Sequence, residues 1–233
     1  MKIMTFNTQH CLSYLDNKID FEIMARVIRE SGAEVVGLNE MRASGADAEY
    51  TAQTEKLAEL SGKPYYYFAK AIDINNKGPY GNAMLSDIPI REVKTVIIPD
   101  PNPKKYDNDD YETRCILCAE LECGLRVLIV HVGLNPDEKE NAINTLLEYI
   151  TDEKCILMGD FNLLPDSPLL LPIRERMKDA AEIFTEDKLS FPSDVPRIKI
   201  DYIFTSRDIE IVSADIPATI ASDHRPHTAE IKL

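Results

Sequence analysis

Short apolar runs of strand length recur along this chain, and each stops or starts at an acid, an amide or a histidine. The clearest is Cys155-Ile-Leu-Met-Gly-Asp-Phe-Asn162, where an apolar run ends at a glycine and an acid and an amide follow. The design recurs in Lys2-Ile-Met-Thr-Phe-Asn7, Glu34-Val-Val-Gly-Leu-Asn-Glu40 and Leu125-Arg-Val-Leu-Ile-Val-His131. Two late segments, Ile200-Asp-Tyr-Ile-Phe204 and Ser222-Asp-His224, complete it. A rigid sheet presents chemistry to solvent at its strand ends, so the pattern predicts one active site assembled from the whole chain.

The runs also constrain topology. Strand to Asn7, helix, strand to Glu40 is matched by strand to His131, helix, strand to Asp160. A strand–helix–strand unit crosses over right-handedly and makes its two strands parallel. Parallel strands bring their C-terminal ends to one edge. Asn7 and Glu40 are thus expected to share one sheet edge, and His131, Asp160 and Asn162 another. Two such sheets packed face to face let both edges meet at a single cleft.

Local signals place the other elements. Asp20 caps a predicted helix over residues 21–30 that Gly32 ends. Asn135 and Pro136 open another over 135–150. Further helices are expected over 48–60 and near 167–177. Strands are predicted at 65–69, 82–85, 90–98, 113–121, 125–132, 199–204, 209–213 and 227–232. Segments 75–80 and 99–110, rich in turn residues, are expected to rim the cleft, with Tyr80, Lys77, Lys104 and Lys105 as candidate substrate contacts.

At 233 residues, 44% hydrophobic and 28% charged, the composition is that of a globular chain. No linker divides it, so one domain over 1–233 is expected. No apolar stretch approaches the roughly 18 residues of a membrane span, and the N-terminal residues turn polar too soon for a signal peptide. A cytoplasmic monomer is the expectation. Five cysteines, an odd number, read as free thiols. Cys115 and Cys118 lie three apart on a predicted strand and so face opposite sides, against a thiolate metal cluster. The formal charge of −14 disfavours extended nucleic-acid binding, because neutralising phosphates needs Lys and Arg. It leaves room for a small phosphate group held by a metal ion.

Glu40, Asp160, Asn162, Asp223 and Asn7 are hard oxygen donors, an inventory that suits Mg²⁺ or Mn²⁺ rather than zinc. His131 and His224 are candidate proton carriers or donors to a phosphoryl group. Asp201 lies inside an apolar strand, where a carboxylate needs a partner, and can orient one histidine. The chain has no GxSxG elbow, Walker A loop or GxGxxG turn. Gly-Asp after a strand is by itself a common turn, and Ser222-Asp-His224 by itself reads as a turn capping a strand. Their combination, in this order and at strand ends, points to a site.

That combination resembles the endonuclease/exonuclease/phosphatase superfamily, from Thr5-Phe-Asn7 to Ser222-Asp-His224, with Gly159-Asp-Phe-Asn162 as the most specific match. The resemblance implies an α/β (α+β) four-layer α/β sandwich, with two mixed β-sheets face to face and helices outside. It also implies Mg²⁺-dependent hydrolysis of a phosphomonoester or phosphodiester by in-line attack of water. By motif, Glu40 resembles the principal metal ligand, with Asn7 beside it and Asp223 as a second metal-side acid. Asp160 resembles the residue that orients or deprotonates the water, and Asn162 positions it. His224, paired with Asp201, and His131 resemble the phosphate-stabilising histidines. Asn82 falls where the family supports the latter histidine, and Arg114 near its phosphate-contacting arginine. Gln9 departs from the pattern, standing where several relatives carry an acid. The acidic surface favours a small or lipid-derived phosphate substrate. A nuclease, and a non-catalytic binding module on the same scaffold, are the alternatives.

Overall fold

In the computed structural model the described residues are 1–108 and 111–233, so the end of the predicted 99–110 loop lies outside them. The chain opens with β1 (Lys2–Asn7), α1 (Phe21–Ser31), β2 (Val35–Arg42) and α2 (Gln53–Ser61). Four strands follow: β3 (Tyr65–Ile74), β4 (Gly78–Ser86), β5 (Ile90–Ile97) and β6 (Cys115–Leu121). Next come β7 (Arg126–His131), α3 (Pro136–Tyr149), β8 (Cys155–Asp160), α4 (Leu171–Arg176) and β9 (Met177–Asp179). The last strands are β10 (Asp201–Ser206), β11 (Glu210–Asp215) and β12 (His227–Lys232).

They form two mixed six-stranded sheets, ordered β11-β12-β1-β2-β4-β3 and β5-β6-β7-β8-β10-β9. As the repeated strand–helix–strand pattern predicts, β1 and β2 are parallel, and so are β7 and β8. Helix starts and stops follow local chemistry. The Asp20 carboxylate accepts from Ile23 N at 3.0 Å to start α1, and Gly32, at φ 65°, ends it. Glu138 accepts from Asn135 N at 3.0 Å and closes a capping box on α3.

Side-chain alternation sorts the core into three layers. Ile3, Val35, Val127, Ile129, Ile156, Met158 and Ile203 fill the space between the sheets. Their strand neighbours point outward: Met4, Phe6, Val36 and Leu38 pack under α1 and α2, and Leu128, Leu157, Tyr202 and Phe204 lie with Ile143 and Leu146 of α3. The architecture is therefore the four-layer sandwich, with helices outside both sheets. The sheets approach closely at Gly37, where a Cβ would stand 3.0 Å from Ile129 Cγ1 and 3.1 Å from Met158 Cε. Cys115 and Cys118 fall in different layers, and the five cysteines are free.

Three local expectations need correction. The helix expected over 48–60 begins only at Gln53. The preceding loop is wedged against the start of β4, where a Cβ on Gly45 would lie 2.5 Å from Gly78 Cα. The Gln53 side chain ties this loop down, accepting from Arg42 N and donating to His10 O, both at 2.8 Å. Segment 75–80 is not a loop throughout but runs into β4: Gly78, Pro79 and Tyr80 pair with Ile74, Asp73 and Ile72, and Tyr80 stands beside Glu40 and Arg114. Asn75 and Asn76 take left-handed conformations (φ 48° and 58°) that close the hairpin tightly. The helix near 167–177 is a 3₁₀ turn followed by α4, and Met177 already belongs to β9, paired with β10.

Candidate active site

The inward face of each central strand is apolar along its length and polar at its end. Ile3 and Thr5 lead to Asn7, Val35 and Gly37 to Asn39, Val127 and Ile129 to His131, and Ile156 and Met158 to Asp160. With a side-chain period of two, the residues that fill the core also fix the direction of the terminal polar group. Register then aligns the ends: Asn7 stands opposite Asn39, His131 opposite Asp160, and Asp201 opposite Asp160.

Asp160 is the centre of the cluster. Its side chain is 2% exposed, and its Oδ2 lies 3.6 Å from Nε2 of both His131 and His224. Asn7 Nδ2 donates to the same oxygen at 3.1 Å and to Glu40 Oε1 at 3.0 Å, joining the two sheets across the cleft. Asp160 Oδ1 accepts from Asn162 N at 2.9 Å, which holds Asn162 in its left-handed conformation (φ 50°). Burial pushes the Asp160 carboxyl up to about 7, against the pull of the His224 charge.

His224 precedes β12 and reaches across to the other sheet. Its Nδ1–H donates to Asp201 Oδ2 at 2.8 Å, and Asp201 is fully buried. Burial lowers the His224 pKa, but the carboxylates of Asp201 and Asp160 outweigh it and raise the imidazole to about 10. The two carboxylates thus favour the imidazolium form of His224. His131 differs. Burial, then the charges of Arg114 and His224, hold its pKa well below the usual histidine range. Its Nδ1 faces Arg114 Nη1 at 2.9 Å.

Glu40 does not point inward by strand parity. The β2–β4 register slips between Leu38 and Met41, and Glu40 adopts φ 62° there. A bulge of this kind re-aims a side chain. Burial raises the Glu40 pKa, the Asn7 hydrogen bond lowers it, and the charge of Asp223 raises it again. Asp223 also accepts from Ser222 Oγ at 2.9 Å. Two neighbouring oxygen acids form a donor set suited to a hard divalent cation. Asn7, expected as an oxygen ligand, turns its Nδ2 to Glu40, while its Oδ1 accepts from Gln9 N at 3.0 Å. Ligand atoms of Asp160, Asp201 and His224 also lie within 4.8 Å of one another.

Asn82, expected to support His131, bonds Asn39. Asn39 Nδ2 donates to Asn82 Oδ1 and to Val130 O, both at 2.9 Å, and Asn39 Oδ1 accepts from Asp160 N at 3.0 Å. This fully buried amide, absent from the sequence-based assignment, holds the backbones of both histidine- and aspartate-bearing strands. Strand parity was the signal for it: in Leu38-Asn39-Glu40 the inward position is Asn39. Arg114 lies against His131, the Tyr80 hydroxyl and Glu112, whose Oε1 is 2.8 Å away. Lys105 pairs with Glu140, and Lys104 covers the Tyr111 ring.

The sequence pattern of the endonuclease/exonuclease/phosphatase family matches residues 4–224. The chain belongs to this family. Endonuclease/exonuclease/phosphatase enzymes are metal-dependent phosphoester hydrolases, and this chain is a hydrolase of that class. No curated protein sequence matches it. Among solved structures, a family member from Beutenbergia cavernae superposes with a TM-score of 0.78 at 21% identity, over 100% of this chain and 71% of that one. A mannosyl-6-phosphatase of Bacteroides thetaiotaomicron gives 0.78 at 16% identity, over 100% of both chains. A Neisseria 3′ phosphatase bound to a product DNA hairpin gives 0.65 at 17%, again over 100% of both. At these identities the endonuclease/exonuclease/phosphatase fold is what is shared. Among the described residues no helix is long and apolar enough to cross a membrane.

Proposed function

We propose that this enzyme hydrolyses a small phosphate ester, using Mg²⁺, or Mn²⁺ in its place, held by Glu40 and Asp223. The observation that carries the reading is Asp160 Oδ2, buried 3.6 Å from the Nε2 atoms of both His131 and His224. When bound, the cation supplies Lewis-acid polarisation of a phosphoryl oxygen. Asp160 accepts a proton from the attacking water, and its raised pKa matches that task near neutrality. The water oxygen bonds to phosphorus while the bond to the leaving-group oxygen breaks on the opposite face. His224, kept charged by Asp201, stabilises the phosphoryl oxygens, and His131 donates a hydrogen bond to the same group. Asn7 bridges Glu40 to Asp160 and holds the water-activating and cation-binding parts in register.

The formal charge of −14 supports a small substrate over a nucleic-acid strand. The similarity to a sugar-phosphate phosphatase supports it further. The similarity to a DNA 3′ phosphatase supports the second reading, action on a nucleic-acid end. Purified enzyme assayed with Mg²⁺ or Mn²⁺ on sugar phosphates, phosphodiesters, sphingomyelin and 3′-phosphorylated DNA separates these readings, with Asp160→Asn as the blank. Metal-stimulated release of phosphate from a sugar phosphate is expected. Turnover confined to DNA ends would replace the first reading with the second, and no turnover by folded enzyme on any of them would end both.

A further inference from the structure

The two histidines that face Asp160 are backed by opposite chemistry. Behind His224 stands a carboxylate, which accepts the Nδ1 proton at 2.8 Å. Behind His131 stands a guanidinium, with Arg114 Nη1 2.9 Å from Nδ1. A guanidinium carries five N–H donors, has no lone pair to offer and keeps its charge in a protein. It can meet an imidazole nitrogen at that distance only where the nitrogen presents a lone pair. A neutral imidazole has one such nitrogen, so its proton is on the other.

We propose that Arg114 is a positioning residue that fixes His131 as a neutral imidazole with its proton on Nε2, a permanent hydrogen-bond donor into the cleft.

One contact argues the other way. Asn162 Nδ2 lies 3.3 Å from His131 Nε2, and its own orientation is set by a 2.9 Å bond to Val132 O. For Asn162 to donate to Nε2, the His131 proton would have to sit on Nδ1, facing a guanidinium N–H. The Arg114 contact is shorter and charge-assisted, about twice as strong as a neutral bond, so it decides the tautomer. The Nε2–H is then directed toward Asp160 Oδ2 at 3.6 Å. The low pKa of His131, from burial first and Arg114 second, agrees with this geometry.

Arg114 is itself held in place. Glu112 Oε1 lies 2.8 Å from the guanidinium, and Glu112 N donates to Glu138 Oε1 at 3.1 Å. Glu138 is the capping-box acid of α3, so the helix start, the 112–114 segment and the His131 tautomer form one connected unit. Arg114 thus acts through His131 and not on the phosphate. The Arg114 side chain is only 11% exposed.

The functional half of this inference rests on His131 meeting the phosphoryl group, while the tautomer does not depend on any substrate. The test is ¹H–¹⁵N two-bond correlation NMR of the imidazoles in the resting full-length enzyme, with His131→Gln assigning the signal. The expected result is a neutral His131 carrying its proton on Nε2. In Arg114→Met that tautomer preference is lost and kcat falls by about a hundredfold, with KM changed by less than about threefold. In Arg114→Lys, also a pure donor, the tautomer and part of kcat return. A proton on Nδ1 or an imidazolium at His131 near neutral pH would overturn the proposal. So would an Arg114→Met enzyme with an unchanged His131 pattern and a raised KM alone, the signature of a direct phosphate contact. Should Arg114→Met fail to fold, the wild-type spectrum still decides. An Nε2–H tautomer in a protein that hydrolyses no phosphoester would retain the tautomer lock and reject the proposed function.

Discussion

Asn39→Ala is the most informative single substitution. The wild-type amide makes three bonds, to Asn82 Oδ1, Val130 O and Asp160 N, all between 2.9 and 3.0 Å. Each is worth about 1 kcal/mol net, and a buried group left unpaired costs about 1–3 kcal/mol. Alanine removes all three bonds at a fully buried position and leaves Val130 O and Asp160 N unserved by a side chain. The expected loss is about 3–6 kcal/mol of unfolding free energy, the lower end applying if water enters. For a chain of this size that lowers Tm by at least about 6–12 °C. Asn39→Asp is the control: it keeps an acceptor for Asp160 N, loses both donated bonds and adds a charge beside Asp160. It is expected to be at least as unstable as alanine. Urea unfolding followed by circular dichroism measures the loss, and an unchanged m-value shows that the native state is still intact. A loss below about 1 kcal/mol for Asn39→Ala would refute the reading of this amide as the clamp between the sheets.

Other perturbations separate the layers of the argument. Glu40→Gln is expected to abolish Mg²⁺-stimulated turnover while leaving Tm in metal-free buffer within a few degrees; calorimetric Mg²⁺ titration that finds wild-type affinity would place the cation elsewhere. His227 is fully buried, and burial pushes its pKa down from 6.5 to about 3. The unfolded chain therefore takes up a proton below pH 6.5 that the native state refuses, and stability should fall by about 1.4 kcal/mol per pH unit from there toward pH 3. His227→Phe should flatten that slope in urea midpoints measured between pH 6.5 and 4.5. Gly37→Val is expected to cost at least about 1–3 kcal/mol by overpacking against Ile129 and Met158; an unchanged unfolding midpoint would show that the sheets can slide apart there.

Much of this arrangement was legible in the sequence because sheets obey a short period. The strand–helix–strand repeat gave both parallel pairs, and the polar strand ends gave Asn7, His131 and Asp160 on the facing edges. Asn39 was legible in principle by the same parity but was masked by its neighbour Glu40, the more obvious ligand type. Glu40 was harder to place than its chemistry suggests, since it enters the cleft through a bulge that no alternation pattern marks. Asn82 lies within β4 and Arg114 just before β6, away from the polar strand ends that marked the site. Their partners, Asn39 and His131, stand on the neighbouring strand of the same sheet, a pairing that neither segment shows alone. The start of α2 was missed for a related reason: Gln53 serves a distant backbone, Arg42 N and His10 O, and the loop before it packs on Gly78.

The order in which the strands enter the two sheets has a consequence for the newborn chain. β1 to β4 lie in the first 86 residues, but the neighbour of β1 on its other side is β12, at His227–Lys232. Translation at about 5–20 residues per second leaves that edge of β1 unpaired for roughly 7 to 30 seconds while the second sheet is made. An unpaired, largely buried-type strand edge is a template for association with another chain. The same late segment carries Asp223 and His224. A ribosome-bound chain lacking it is therefore both sticky and inert, and hydrolytic activity should appear in a synchronised translation reaction only as β12 closes the sheet.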